Sequence, residues 1–102
     1  MTPPERSQEQ RASALASAMR VRRERADLRR ALKSGAARPR ATLDDDRYRA
    51  VRVRWFLESL PGIGSARAES MMAELRIAPS RRLGGLSDRQ RHALAVRLDG
   101  RP

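Results

Sequence analysis

Between two apolar stretches of the chain lies Leu60-Pro61-Gly62-Ile63-Gly64-Ser65, a run suited to one kind of chemistry, the non-covalent binding of phosphate. Pro61 lacks an N–H and clashes one turn back, so it ends any helix that reaches it. Gly62 and Gly64 permit backbone conformations that a Cβ forbids. Ile63, apolar in the middle of a tight turn, is placed to plug the gap between two helices. A helix opening near Ser65 presents amides without intrahelical partners at the positive end of its dipole. Such amides, at a turn of small residues, make a phosphate site. Arg67, in the first turn, adds charge. Contacts of this kind hold a nucleic-acid backbone and read no base.

A glycine-capped corner with no ligand is the competing explanation, and the charge of the chain weighs against it. The 102 residues carry a formal net charge of +11, and the pI is about 11.8. So basic a short chain points to a polyanion. All but one of the 23 basic residues are arginine, the exception being Lys33. That bias is read as genomic composition rather than as a ligand preference. Arg81-Arg82 is a second candidate contact, since it follows a break at Ile77 and Pro79 and is expected to open a short turn close to the hairpin, tracking the same strand. Arg38 and Arg40 around Pro39 form a weaker candidate for a groove-entering arm.

Catalysis finds no support. Cysteine is absent, which removes disulfides, thiolate metal sites and thiol nucleophiles. The one histidine, His92, falls in a predicted helix and is read as a surface or packing residue. Asp44-Asp45-Asp46 cannot all face one ion on a helix, so their place is the start of a helix. Nothing resembles a catalytic Lys–Asp pair after the hairpin, a histidine cluster or a metal set. The expectation is a protein without catalytic residues, metal or cofactor, and with no small-molecule ligand. Only Tyr48, Trp55 and Phe56 are aromatic, too few for a stacking single-strand binder. No apolar run approaches the roughly 20 residues of a membrane span. Met1-Thr2-Pro3-Pro4-Glu5 lacks an apolar signal core. The first helix has too few bulky apolar residues for a membrane surface. A cytosolic protein with no membrane partner is expected.

The elements that must position these residues all read as helices, with no strand pattern. Ser7 and Gln10 have capping-box spacing, and Ser34-Gly35 reads as a stop, so a helix is predicted over about 8–33. Val21, Leu28 and Leu32 form its apolar side, opposite Arg22, Arg23, Arg29, Arg30 and Lys33. Its first two turns, rich in Ala and Ser, read as a poorly packed arm. A linker follows over 35–41. Thr42, with Asp44 and Asp45 behind it, has the form of an N-cap for a short helix over about 43–49. Val53, Phe56, Leu57 and Leu60 are spaced as a buried helix face. Trp55 lies off that face and is read as cover for a neighbouring helix. Ala68, Met71, Met72 and Leu75 repeat the spacing beyond the hairpin. Ser87 and Gln90 open a last helix through Leu98, with Gly100 as its stop. Residues 1–40, a basic helix and linker, carry a net charge of +7, and residues 41–102, a compact helical lobe, a net of +4.

The stretch from Val53 to Ala68, V-R-W-F-L-E-S-L-P-G-I-G-S-A-R-A, with S-R-R-L at Ser80 to Leu83, resembles the actinobacterial integration host factor family. Arg22-Arg23-Glu24-Arg25-Ala26 in the first helix fits the same pattern. The resemblance implies an all-α protein: a long N-terminal helix, then a compact lobe with a helix–two-turn–helix (helix-hairpin-helix) element. It implies a nucleoid-associated protein that binds double-stranded DNA with little sequence preference and shapes or compacts it, some members assisting phage integration. The implied contacts are Pro61 to Gly64, then Arg81 and Arg82, then the basic residues of the first helix. Ser65, Glu69 and Gly84 stand where the family commonly carries basic residues, which lowers positive charge at the hairpin. A monomeric free state is expected. A ribosomal-type protein using the same hairpin on structured RNA is the alternative.

Overall fold

The computed structural model describes residues 7–99. Among these residues five helices follow one another: α1 (Gln8–Ser34), α2 (Pro39–Leu43), α3 (Val53–Glu58), α4 (Ser65–Glu74) and α5 (Asp88–Asp99). Two 3-10 turns, Asp46–Tyr48 and Leu83–Gly85, complete the order. No strand forms among the described residues. An isolated antiparallel bridge joins Arg52 to Arg82. The all-α architecture expected from the sequence, with a long first helix and a compact lobe, is therefore the one observed.

Local signals explain the long helix. Gln10 N–H donates to Ser7 Oγ at 3.2 Å and Ser7 N–H to Gln10 Oε1 at 3.1 Å, closing the capping box. Gly35, at φ 84°, ends α1 in the left-handed conformation and donates to the Leu32 carbonyl. Twenty-seven residues at 1.5 Å each make a rod about 40 Å long. Only its C-terminal part meets the lobe, through buried Leu28 and Leu32. Val21, expected on the same buried side, is 44% exposed, because α1 has already run past the lobe at that turn. Leu15 and Met19 are exposed too. The described residues span 59 × 28 × 23 Å.

The expected helix over 43–49 with Thr42 as N-cap is not formed. Pro39, whose fixed φ suits the first helical position, starts α2 three residues before Thr42. Thr42 lies inside that helix, buried, its hydroxyl donating to the Arg38 carbonyl at 3.1 Å. Asp45 takes the capping role instead, accepting from Arg47 N–H at 2.9 Å to open the Asp46–Tyr48 turn. The linker shrinks to the few residues between Gly35 and Arg38.

The stripes on α3 and α4 behave as their spacing predicts. Val53, Phe56, Leu57 and Leu60 are buried to 1% exposure or less, and Ala68, Met71 and Met72 face them. Burying each of the larger side chains contributes about 1.5–3 kcal/mol. α3 packs on α4, and α2 on α5. Ser87 and Gln90 cap α5 reciprocally, at 3.0 and 3.1 Å. The expected stop at Gly100 lies outside the described residues. Arg91 ties α5 to the lobe, donating to the carbonyls of Leu43 and, at 2.8 Å, of Leu83.

Candidate nucleic-acid interface

The hairpin is anchored from below and open above. α3 ends at Glu58, ahead of Pro61. Leu60 and Ile63 point into the core at 1% and 3% exposure, so Ile63 is the plug its position suggested. Pro61, Gly62, Gly64 and Ser65 are exposed. Gly62 sits at φ 76°, a conformation in which a Cβ is strained. Gly64 does not need glycine for its backbone: it is extended, φ −93° and ψ −174°, as N-cap of α4. Beyond its own residue and its two chain neighbours, no heavy atom lies within 4 Å of where its Cβ would stand. The small residue thus leaves clear the approach to the first amides of α4.

One wall of this opening comes from α1. A shallow recess of about 320 Å³ is lined by Arg29, Lys33, Glu58, Ile63, Gly64 and Ser65. Arg29 Nε donates to Ser59 Oγ at 3.1 Å, and its guanidinium carbon lies 4.5 Å from the Trp55 ring centroid. Lys33 Nζ donates to the Glu58 carbonyl at 3.2 Å. Trp55 is therefore the cover expected for a neighbouring helix, and it fixes the arginine that α1 contributes to the recess. The Glu58 carboxylate accepts from Arg54 Nε at 2.9 Å and from the Ser65 hydroxyl at 3.2 Å. The Arg54 bond, and after it the Ser65 hydroxyl, hold its pKa below the ordinary value, with partial burial opposing them. Arg67 reaches back towards the Gly62 carbonyl at 3.5 Å.

The remaining arginines distribute differently. Arg30 turns to Asp27 on the outer side of α1. Arg22 and Arg23 are exposed further up the rod, about 10 Å beyond Arg29 at 1.5 Å per residue. Arg81 and Arg82 do not sit beside the hairpin. Their segment pairs with the chain entering α3: Val53 N–H donates to the Arg81 carbonyl at 3.0 Å and Leu83 N–H to the Val51 carbonyl at 2.8 Å. They are thus near the opposite end of α3, about 10 Å from the hairpin. Arg82 donates to the Ala50 carbonyl at 2.6 Å, Arg81 to that of Gly85 at 3.2 Å, and Arg52 to that of Ser80 at 3.2 Å. Each guanidinium has five N–H donors, so capacity for an anion remains. The sequence reading missed Arg52 and Glu58. Cross-segment pairing places the first, which has no signal in local spacing; the second has one, its i,i+4 spacing from Arg54, but its bond to the Ser65 hydroxyl beyond the hairpin has none.

Among the described residues, no group of three or more acidic or histidine side chains is arranged to hold a metal ion. No described helix is long and apolar enough to cross a membrane.

A long basic helix feeding a lobe of short helices around a plugged glycine hairpin defines a helix–two-turn–helix protein. The sequence profile of the S13-like H2TH domain matches residues 21–98. The chain is 44% identical to the integration host factor of Mycolicibacterium smegmatis, across 97% of this chain and 98% of that one. It is 45% identical to that of Mycobacterium tuberculosis, across 92% and 93%. It belongs to the actinobacterial integration host factor family. A solved structure described as sIHF bound to an 8bp palindromic DNA matches with a TM-score of 0.76 and 34% identity, across 81% of this chain and 98% of that one.

Proposed function

We propose that this protein is a nucleoid-associated protein that binds double-stranded DNA through its phosphates, with little sequence preference, and so shapes or compacts it. The observation that carries this is the hairpin: Gly64 leaves the start of α4 uncovered, with Arg29 and Lys33 forming the adjacent wall. A phosphate oxygen there meets the first amides of α4, the helix dipole and two cations, while the Glu58 carboxylate of the same recess is engaged by Arg54 and Ser65. Pro61, Gly62 and Gly64 allow close approach, Ile63 contributes through its backbone, and Ser65 and Arg67 extend the contact. Arg81 and Arg82 meet the same duplex about three base pairs further along, taking 3.4 Å per pair. Arg22, Arg23, Arg29 and Arg30 on α1 form a second line of charge. In this reading residues 1–40 act as the basic arm and linker, and residues 41–102 as the binding lobe. The relative solved with an 8bp palindromic DNA supports the choice of ligand. The free protein is monomeric and resides in the nucleoid of the cytoplasm. Its role is architectural and not catalytic, and assistance to phage integration is one use of such shaping.

Fluorescence anisotropy with a random duplex of about 25 base pairs, across a salt series, tests the proposal. About five neutralised phosphates give a log–log slope near −4 to −5. A scrambled duplex competes equally, and folded ribosomal RNA competes poorly. A large margin in favour of the RNA would overturn the DNA reading and assign the hairpin to structured RNA.

A further inference from the structure

Gly84 and Arg49 compete for one space. Their segments run side by side, with Gly84 N–H donating to the Arg49 carbonyl at 2.9 Å. The backbone of Gly84 is not in the left-handed region that demands glycine. Its surroundings demand it: a Cβ there would meet Arg49 Cβ at 2.9 Å, and Arg49 Nε and the carbonyl oxygen at 3.2 Å. Two of these are fixed points of the chain rather than the free end of a side chain. A side chain on residue 84 and an arginine at 49 therefore exclude one another in this arrangement.

The Arg49 stem lies over the glycine while its side chain stays 65% exposed. Its acidic neighbour is Asp46, at 3.7 Å and 92% exposed, a pair that salt and solvent screen. Asp45, beside it, is engaged by Arg47 at 2.8 Å. The Arg49 guanidinium, which shares a shallow recess with Asp44, Asp45 and Asp46, keeps only this one exposed pair and exchanges it for an anion, on the two-segment ladder that also carries Arg52, Arg81 and Arg82. A stem braced against the backbone loses less conformational freedom when its head group binds. We infer that Arg49 is a phosphate-contacting residue of the DNA interface, its stem seated in the space that Gly84 leaves open. This rests on the DNA-binding reading above and adds a residue to it.

The test is a reciprocal exchange, read by duplex anisotropy across a salt series and by thermal denaturation. Arg49→Gln keeps the stem but removes the charge. It weakens binding roughly fivefold and reduces the salt slope by about one, with the melting temperature little changed. Gly84→Arg alone lowers the melting temperature without improving affinity, because Arg49 still occupies the space. Arg49→Gly weakens binding, and Arg49→Gly with Gly84→Arg restores affinity to within about twofold of the parent. An Arg49→Gln protein with parental affinity and slope would overturn the inference. So would a folded double variant no tighter than Arg49→Gly. Parental protein with no salt-dependent affinity for the duplex would remove the DNA reading itself. Parental binding that Gly64→Asp abolishes and Arg49→Gln leaves intact removes only the role of Arg49.

Discussion

The guanidinium carbon of Arg29 lies over the Trp55 indole, 4.5 Å from the ring centroid, while Nε donates to Ser59 Oγ. This one side chain joins the long helix to α3 and forms a wall of the hairpin recess. An exposed cation–π contact is worth about 0.5–1 kcal/mol. Trp55→Ala is expected to destabilise the fold by at least that much in urea denaturation, since it also removes packing. Arg29→Lys is expected to weaken duplex binding although the charge is kept, because an ammonium cannot hold the stacked, forked geometry. Unchanged affinity in Arg29→Lys would show that the stacking positions nothing for the ligand.

Gly64 separates a role in binding from a role in folding. Its extended backbone and open surroundings mean that Gly64→Ala shifts stability by no more than about 1 kcal/mol. Gly64→Asp places a carboxylate where the phosphate approaches and is expected to lower duplex affinity at least roughly tenfold with the fold intact. A folded Gly64→Asp protein that binds normally would remove the hairpin from the interface.

Gly62 and Ile63 behave in the opposite way. At φ 76°, Gly62→Ala introduces backbone strain of about 1–2 kcal/mol. Ile63→Ala leaves a cavity beneath the turn and is expected to cost about 2–4 kcal/mol. Chemical denaturation of both variants checks this. A negligible change in Ile63→Ala would mean that the plug is dispensable.

Glu58 makes stability depend on pH. Arg54 chiefly, then the Ser65 hydroxyl, hold its folded pKa below the ordinary 4.5. A carboxyl depressed in the folded state contributes its stabilisation fully above that ordinary value. The contribution is lost as the pH falls below 4.5 towards the folded pKa. Thermal melts of Glu58→Gln between pH 3 and 6 should show a flatter decline than the parent. Parallel curves would show that the carboxylate is not coupled to folding.

Much of the architecture was legible because its causes are local. The two Ser–Gln capping boxes, the left-handed Gly35 and the stripes of α3 and α4 depend on residues within a turn or two of one another. Local form also misled. Thr42 followed by aspartates looks like an N-cap, yet Pro39 had already started the helix, and the threonine hydroxyl turned back to Arg38. Val21 follows the period of Leu28 and Leu32 but finds no lobe to meet.

The sequence by itself determined that this is an all-helical, strongly basic protein with a glycine hairpin plugged by Ile63, because helix spacing, capping and turn chemistry act over a few residues. Only the tertiary structure decided which arginines gather. It set Arg29 beside the hairpin through Trp55 and Ser59, moved Arg81 and Arg82 to the far end of α3, and laid Arg49 over Gly84. These pairings join segments some thirty residues apart, and helical periodicity carries no information about which distant segment a side chain will meet.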